Sequence, residues 1–368
     1  MTTTNYKNWN VTQDDDSIAW LYLDKAGSST NVLSADVLLE LDSILDNLAA
    51  KPPRGVVLTS AKASGFIAGA DVKELGHFAD EDEASVAIQR GHNIVNKLEA
   101  LPGPTLALIS AFCLGGALEL SLACDYRIAN DDPATKLGLP EVRLGIHPGF
   151  GGSVRSIERL GVLNAMDMML TARNLSARAA KKIGLINYAV PERHLVNAAR
   201  QTILKPPEKQ KPAFWLAWLN HRLLRPWIAK LLTKKVAARA PRAQYPAPYA
   251  LIDLWQNYFD DRDKMLSEEA NSVARLIVGK TAQNLIRVFG LQERLKGLGR
   301  VDNYSPKHVH VIGAGVMGGD IAAWCALQGY QVTIQDRQHE TLANVLKRAH
   351  ALYKKRLKLP RLITEVMD

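Results

Sequence analysis

Three cysteines in 368 residues, Cys113, Cys124 and Cys325, are too few and too scattered for a disulfide framework or a zinc site. All three lie in apolar runs, where buried free thiols are expected. The start, MTTTNYKNWN, has no basic segment and no apolar core, so it does not read as a secretory signal. No uninterrupted apolar run approaches the ~20 residues that span a bilayer. These absences predict a soluble, cytoplasmic protein. Acid is scarce in one stretch: between Lys205 and Arg242 ten Lys/Arg stand against one acid, Glu208, which accounts for the whole net charge of +9. No nucleic-acid recognition motif accompanies that charge, so nucleic acid is not an expected partner.

What is present is ordinary globular composition, 47% hydrophobic and 23% charged, in a chain long enough for two domains. Ser17–Asp24 reads as a strand, Ser34 caps a helix running to about Ala50, and GVVLTS (Gly55–Ser60) is a second strand. A helix from about Asp82 to Leu101 closes at Pro102-Gly103-Pro104, and Thr105–Ala111 is a buried strand. Strand, turn and helix recur, which is α/β patterning.

Chemistry concentrates at the turns. Gly115 and Gly116 follow the third strand and open an apolar helix with Glu119 in its first turn. A helix start offers unpaired N–H groups, and glycine permits close approach to the backbone. A second acid, Glu141, follows Leu139-Pro140 among Leu137, Val142 and Leu144. Two carboxyls in apolar surroundings suit acid/base work, because burial and mutual repulsion raise their pKa values. On spacing alone the plainer alternative also stands: two surface acids, one of them capping a helix. A second small-residue turn, Ala68-Gly69-Ala70, precedes Asp71, which is placed to cap the next helix. Two such turns can each aim one N–H at a developing oxyanion.

With FIAGAD (Phe66–Asp71), CLGGALEL (Cys113–Leu120) and GLPEVRLGIHPGFGGS (Gly138–Ser153), the chain resembles the crotonase (enoyl-CoA hydratase/isomerase) superfamily. That resemblance implies a spiral of ββα units over residues 1–200. It implies oxyanion donors at Ala68 and Gly116, catalytic acids Glu119 and Glu141, an acyl-CoA substrate and no cofactor for hydration. Ala117 departs from the family, which often has a third glycine there. The implied reaction is hydration of a 2-enoyl-CoA to a 3-hydroxyacyl-CoA in fatty acid β-oxidation, with double-bond isomerisation as related chemistry. Thioester hydrolysis or decarboxylation is less expected with both acids present.

Gly151–Leu204 reads as helical, with Ser176 as a cap and a short extended piece between Ile183 and Glu192. Phe214–Pro241 mixes Trp215, Trp218 and Trp227 with Arg and Lys, and Pro226 divides it into two helical pieces. Its basic, aromatic character reads as an amphipathic pair packed on its own protein, as a peripheral membrane contact through 205–242, or as a docking surface. Tyr245–Leu298 is helical with expected breaks near Gly279 and Gly290. Residues 201–304 thus read as a helical extension and linker.

Lys307–Asp336 carries a dinucleotide fingerprint. A strand (Val309–Ile312) runs into Gly313, Gly315 and Gly318 and then a helix; a second strand ends at Asp336, 23 residues after Gly313. Such a turn places a pyrophosphate at a helix N-terminus and an acid on the ribose, here favouring NAD, with Arg337 leaving NADP open. Asp320, in the helix's first turn, is an unusual negative charge for such a site. Together with the preceding helices this segment is similar to the α-subunit family of bacterial fatty acid oxidation complexes. That similarity implies a 3-hydroxyacyl-CoA dehydrogenase domain starting at 305 and a thiolase β-subunit as partner. The sequence ends 32 residues after Asp336. The dehydrogenase half, 305–368, is therefore expected to be incomplete and its NAD binding doubtful. The alternative expectation is a scaffold that docks thiolase or a membrane with little activity of its own.

Overall fold

A computed structural model describes residues 2–299, 305–357 and 359–368. They form two compact units, Met1–Glu293 and Arg294–Asp368. The helices between 214 and 293, anticipated as an extension, belong to the first unit. The linker end expected at 304 lies outside the described residues.

The first unit is built on a seven-stranded sheet in the order Thr2–Asn5, Trp9–Gln13, Ile18–Leu23, Gly55–Ser60, Thr105–Ile109, Tyr126–Asn130 and Tyr188–Val190. The first three strands pair antiparallel and the rest parallel. Alternation sends successive side chains to opposite faces. Ile18, Trp20, Val57, Leu106 and Ile128 pack under the helix Leu195–Leu204. Ala19, Leu21, Leu23, Val56 and Leu58 join the main core with Leu41, Ile44 and Leu45 of the helix Ala35–Ala50. Each large apolar side chain so buried contributes about 1.5–3 kcal/mol. A sheet buried on both faces explains why its parallel strands read as continuous apolar runs.

A small second sheet positions the candidate site. Phe112–Leu114 pairs parallel with Lys136–Gly138, and Ile67 bridges to Cys113. The three sequence motifs are therefore neighbours through their backbones.

Several local expectations differ in detail. Ser34 is the N-cap of Ala35–Ala50, but its hydroxyl engages Lys25 and Asp36, and the Ala35 N–H goes to the Glu74 carboxylate at 3.0 Å. Pro226 sits in the first turn of the helix Arg225–Ala237, where its missing N–H costs no hydrogen bond. The break at Gly279 is present, but Gly290 lies within the helix Lys280–Leu298. A single helical glycine costs only about 1 kcal/mol, and Ala282 and Ile286 of that helix are anchored in a core cluster. Among the described residues no helix is long and apolar enough to cross a membrane.

In the second unit His308–Ile312 pairs parallel with Gln331–Gln335, joined by the helix Val316–Leu327 and followed by the helix His339–Arg356. Tyr353 is buried there and donates to the Ala323 carbonyl at 2.8 Å.

Candidate active site

Gly115 ends the Phe112–Leu114 strand at φ +55 and caps the helix Gly116–Ala123. That left-handed turn is cheap only for glycine. It leaves Gly116 at the first helical position, where no intrahelical acceptor exists. Among the described residues the Gly116 N–H has no partner.

The other expected donor requires a correction. The Ala68 N–H donates to the Asn31 carbonyl at 2.9 Å, so it is already engaged. Leu33 N–H donates to Gly69 O, and Asp71 N–H to Leu33 O. Between these ties Gly69 adopts φ +111 and turns the chain. The Ala70 amide nitrogen then stands 3.5 Å from where a Cβ on Gly116 would lie, and it too has no partner among the described residues. Among the described residues the amides of Ala70 and Gly116 are unengaged, as is that of Gly69 in the turn, whereas that of Ala68 is taken. The pair that approaches is Ala70 and Gly116, not Ala68 and Gly116.

Glu119 is buried, and one oxygen, Oε1, accepts from the amides of Phe150 at 2.8 Å and Gly152 at 2.9 Å. Its Oε2 accepts no hydrogen bond from the described residues. Burial first, and then the charge of Glu269, raise its pKa to about 7, against the pull of the two amides and of His92. Glu141 opens the single helical turn Glu141–Leu144, and neither of its buried oxygens has a hydrogen-bond partner. Burial, then the charge of Glu119, push its pKa well above the ordinary carboxylate range. Its Oε1 lies 3.0 Å from where a Cβ on Gly115 would stand, so it abuts the glycine turn.

Both acids and both free amides line one cavity of about 660 Å³. Apolar side chains from the helices Arg262–Ile277 and Lys280–Leu298 also line it, among them Val273, Ile277, Leu285 and Phe289. An apolar cavity with a few convergent polar groups is the usual form of a small-molecule site.

The sequence reading missed Glu269. This acid is 0% exposed and accepts from the amides of Gly151 at 2.5 Å and Ser153 at 3.0 Å, and from the Ser153 hydroxyl. Burial would raise its pKa, but the His92 ring 3.3 Å away, the Ser153 hydroxyl and the charge of His147 outweigh that and hold it low. The available signal was its position in the helical apolar stripe Met265, Leu266, Glu269, Ala270, Val273.

In the second unit the fingerprint residues come together. Gly313 has φ +100, and a Cβ on Gly318 would stand 1.9 Å from the Gly313 carbonyl oxygen, so the helix can start this close to the strand only with glycine. Space above Gly315 is open, and the helix Val316–Leu327 begins there. Asp336 accepts from the Ala314 amide at 2.7 Å, which brings it to the glycine turn. Asp320 is 3.6 Å from Arg348 Nε, so its charge is partly offset.

Residues 14–227 match the enoyl-CoA hydratase/isomerase family, and residues 308–368 match the family described as 3-hydroxyacyl-CoA dehydrogenase, NAD binding domain. A fatty acid oxidation complex subunit alpha from Shewanella putrefaciens is 35% identical over 98% of this chain and 52% of that protein. The chain thus spans about half the length of the curated relatives it matches. A solved enoyl-CoA hydratase from Bacillus anthracis superimposes with a TM-score of 0.50 at 29% identity, over 79% of this chain and 96% of that one. One from Mycobacterium avium subsp. paratuberculosis reaches 0.55 at 20% identity, over 77% of this chain and 99% of that one, a likeness of fold.

Proposed function

The chain belongs to the enoyl-CoA hydratase/isomerase family, and from that premise we propose that its first unit hydrates 2-enoyl-CoA thioesters to 3-hydroxyacyl-CoA in fatty acid β-oxidation. The thioester carbonyl accepts from the Ala70 and Gly116 N–H groups, which stabilise the enolate as negative charge moves onto oxygen. Each such donor is worth about 3 kcal/mol in the transition state. Glu119, through its free Oε2, takes a proton from water as that water attacks C3. Glu141 delivers a proton to C2. The carrying observation is the pairing of two unengaged amides with two buried, high-pKa carboxyls in one cavity. The same acids can shift a double bond by moving a proton between C2 and C4, so isomerisation belongs to the same proposal. The test is to incubate the purified chain with a short 2-enoyl-CoA in ¹⁸O-water: the proposal requires a product heavier by one labelled water.

The second unit is proposed to bind NAD. Gly313, Gly315 and Gly318 would lie against the pyrophosphate and Asp336 against the ribose hydroxyls, and bound NAD would supply hydride acceptance to a 3-hydroxyacyl-CoA dehydrogenase. The residues fit, because the turn excludes side chains where the phosphates would approach. The relatives are named as subunits of a complex, and a thiolase subunit is the proposed partner of this chain. A cytoplasmic site is proposed on the free thiols: burial pushes Cys113 and Cys124 up to about 12.

A second reading has its own observation. Phe214, Trp215, Trp218 and Trp227 are exposed on the basic segment, although Lys209, Arg225 and Arg242 are paired with Asp125, Asp260 and Asp253. This surface supports peripheral contact with an anionic membrane. Flotation with anionic vesicles, with and without Trp215→Ala and Trp227→Ala, tests it.

A further inference from the structure

Two carboxylates share the start of the helix Gly152–Leu160 in alternation. The amides of Phe150 and Gly152 go to Glu119, and those of Gly151 and Ser153 go to Glu269. Glu269 comes from the helix Arg262–Ile277, beyond the residues that match the hydratase/isomerase family. His92, on the helix Glu81–Glu99, stands with Nε2 3.3 Å from Glu269 Oε1. Both side chains are enclosed, so neither is a solvated surface charge.

We propose that Glu269, held by His92, is a positioning residue for Glu119: by taking the Gly151 and Ser153 amides it fixes the turn that directs the Phe150 and Gly152 amides onto one oxygen of Glu119, leaving the other oxygen for the reacting water. This rests on the hydratase reading and adds a residue to it. A helix start holds a limited set of free N–H groups. Were Glu269 absent, the Gly151 and Ser153 amides would lose their acceptor, and Glu119 could rotate to bridge them with both oxygens. The base would then lose its free oxygen.

Charge supports the geometry. Facing Glu119 are Glu269, Glu141 and His92; facing Glu269 are Glu119, Glu141, His92 and His147, while Arg275 on the same helix bears on His147. His147 is itself fixed, with Nε2 2.8 Å from Ser272 Oγ and Nδ1 2.8 Å from the Pro148 carbonyl. The negative charge of Glu269 holds the proton on Glu119 to higher pH.

The test is steady-state hydration by the purified full chain between about pH 5 and pH 9, for wild type and Glu269→Gln. The substitution is expected to lower kcat about 10-fold to 100-fold with KM nearly unchanged. It should also move the acid limb of the kcat profile to lower pH by about one unit. A limb that moves while kcat stays at the wild-type level would report the lost charge alone and overturn the positioning role. An unmoved limb with near wild-type kcat overturns the proposal. A wild type without hydration overturns the hydratase reading. In that event the infrared carboxyl band lost in Glu119→Gln still decides this inference: it should titrate at lower pH in Glu269→Gln, and an unmoved titration overturns it. Should Glu269→Gln not fold, Ser153→Ala decides. It removes one donor to Glu269 and is expected to lower kcat about threefold; wild-type kcat in that variant overturns the proposal.

Discussion

The amide nitrogen of Ala70 stands 3.5 Å from the point a Cβ on Gly116 would occupy. The unengaged Ala70 N–H therefore belongs to a backbone that borders the space beside Gly116, whose own N–H is also unengaged. A side chain at 116 meets no forbidden contact, since Leu33 and Phe150 are also 3.5 Å away, an ordinary van der Waals distance.

Gly116→Ala is thus expected to fold normally and to fail at catalysis. The methyl fills the space between the donors, and kcat/KM should fall about 10²–10³-fold. A melting temperature close to wild type alongside that loss separates catalytic from structural damage.

Glu119→Gln is expected to stabilise the fold at alkaline pH while removing activity. In the fold Glu119 holds its proton up to about 7, against an ordinary 4.5. At pH values below the ordinary carboxylate range, folded and unfolded states are both protonated. As pH rises, the unfolded chain ionises first, so stability is lost until the folded pKa is passed, at a cost of roughly 3 kcal/mol. Gln avoids this penalty and keeps Oε1 for the Phe150 and Gly152 amides. Thermal melts should show an advantage for the variant at pH 8 that vanishes at pH 4.

Hydration should rise with pH through about 7, as Glu119 ionises. Glu141 is held well above the ordinary carboxylate range and keeps its proton over the same interval. Glu141→Gln removes that proton donor, and kcat should fall about 10²–10⁴-fold. Retention of most activity in this variant would rule out Glu141 as the acid.

Asn31 ties down the loop that carries Ala70. Its buried amide nitrogen donates to Leu23 O at 2.9 Å, Ser60 Oγ at 2.9 Å and Phe66 O at 3.2 Å. Leu23 O and Ser60 Oγ keep the Ala61 and Lys62 amides as donors. Asn31→Ala nonetheless strands the Phe66 carbonyl and the Lys25 amide, which donates to Asn31 Oδ1 at 2.9 Å, and should cost about 1–3 kcal/mol. Denaturant unfolding measures this, and kcat should drop as the Ala70 amide loses its placement.

The strands and the glycine turns were legible because apolar runs bounded by Gly and Pro leave few alternatives. The acids Glu119 and Glu141 were legible from their motifs. The identity of the second amide was not. Ala68 and Ala70 are both small and both flank Gly69, and it is the carbonyl of Asn31, distant in sequence, that takes the Ala68 N–H and leaves that of Ala70 free. Glu269 was hidden by distance: it meets Gly151 across 118 residues of sequence, from a helix whose other inward residues are apolar. Gly290 misled because local propensity is weaker than the tertiary anchoring of its helix.

The most direct test of the account follows the ultraviolet absorbance of a short 2-enoyl-CoA with the purified chain, with Glu119→Gln alongside. The account predicts that the conjugated-thioester band disappears with wild type and persists with the variant. Equal rates of loss with both would contradict Glu119 as the base, and no loss with either would contradict the hydratase assignment itself.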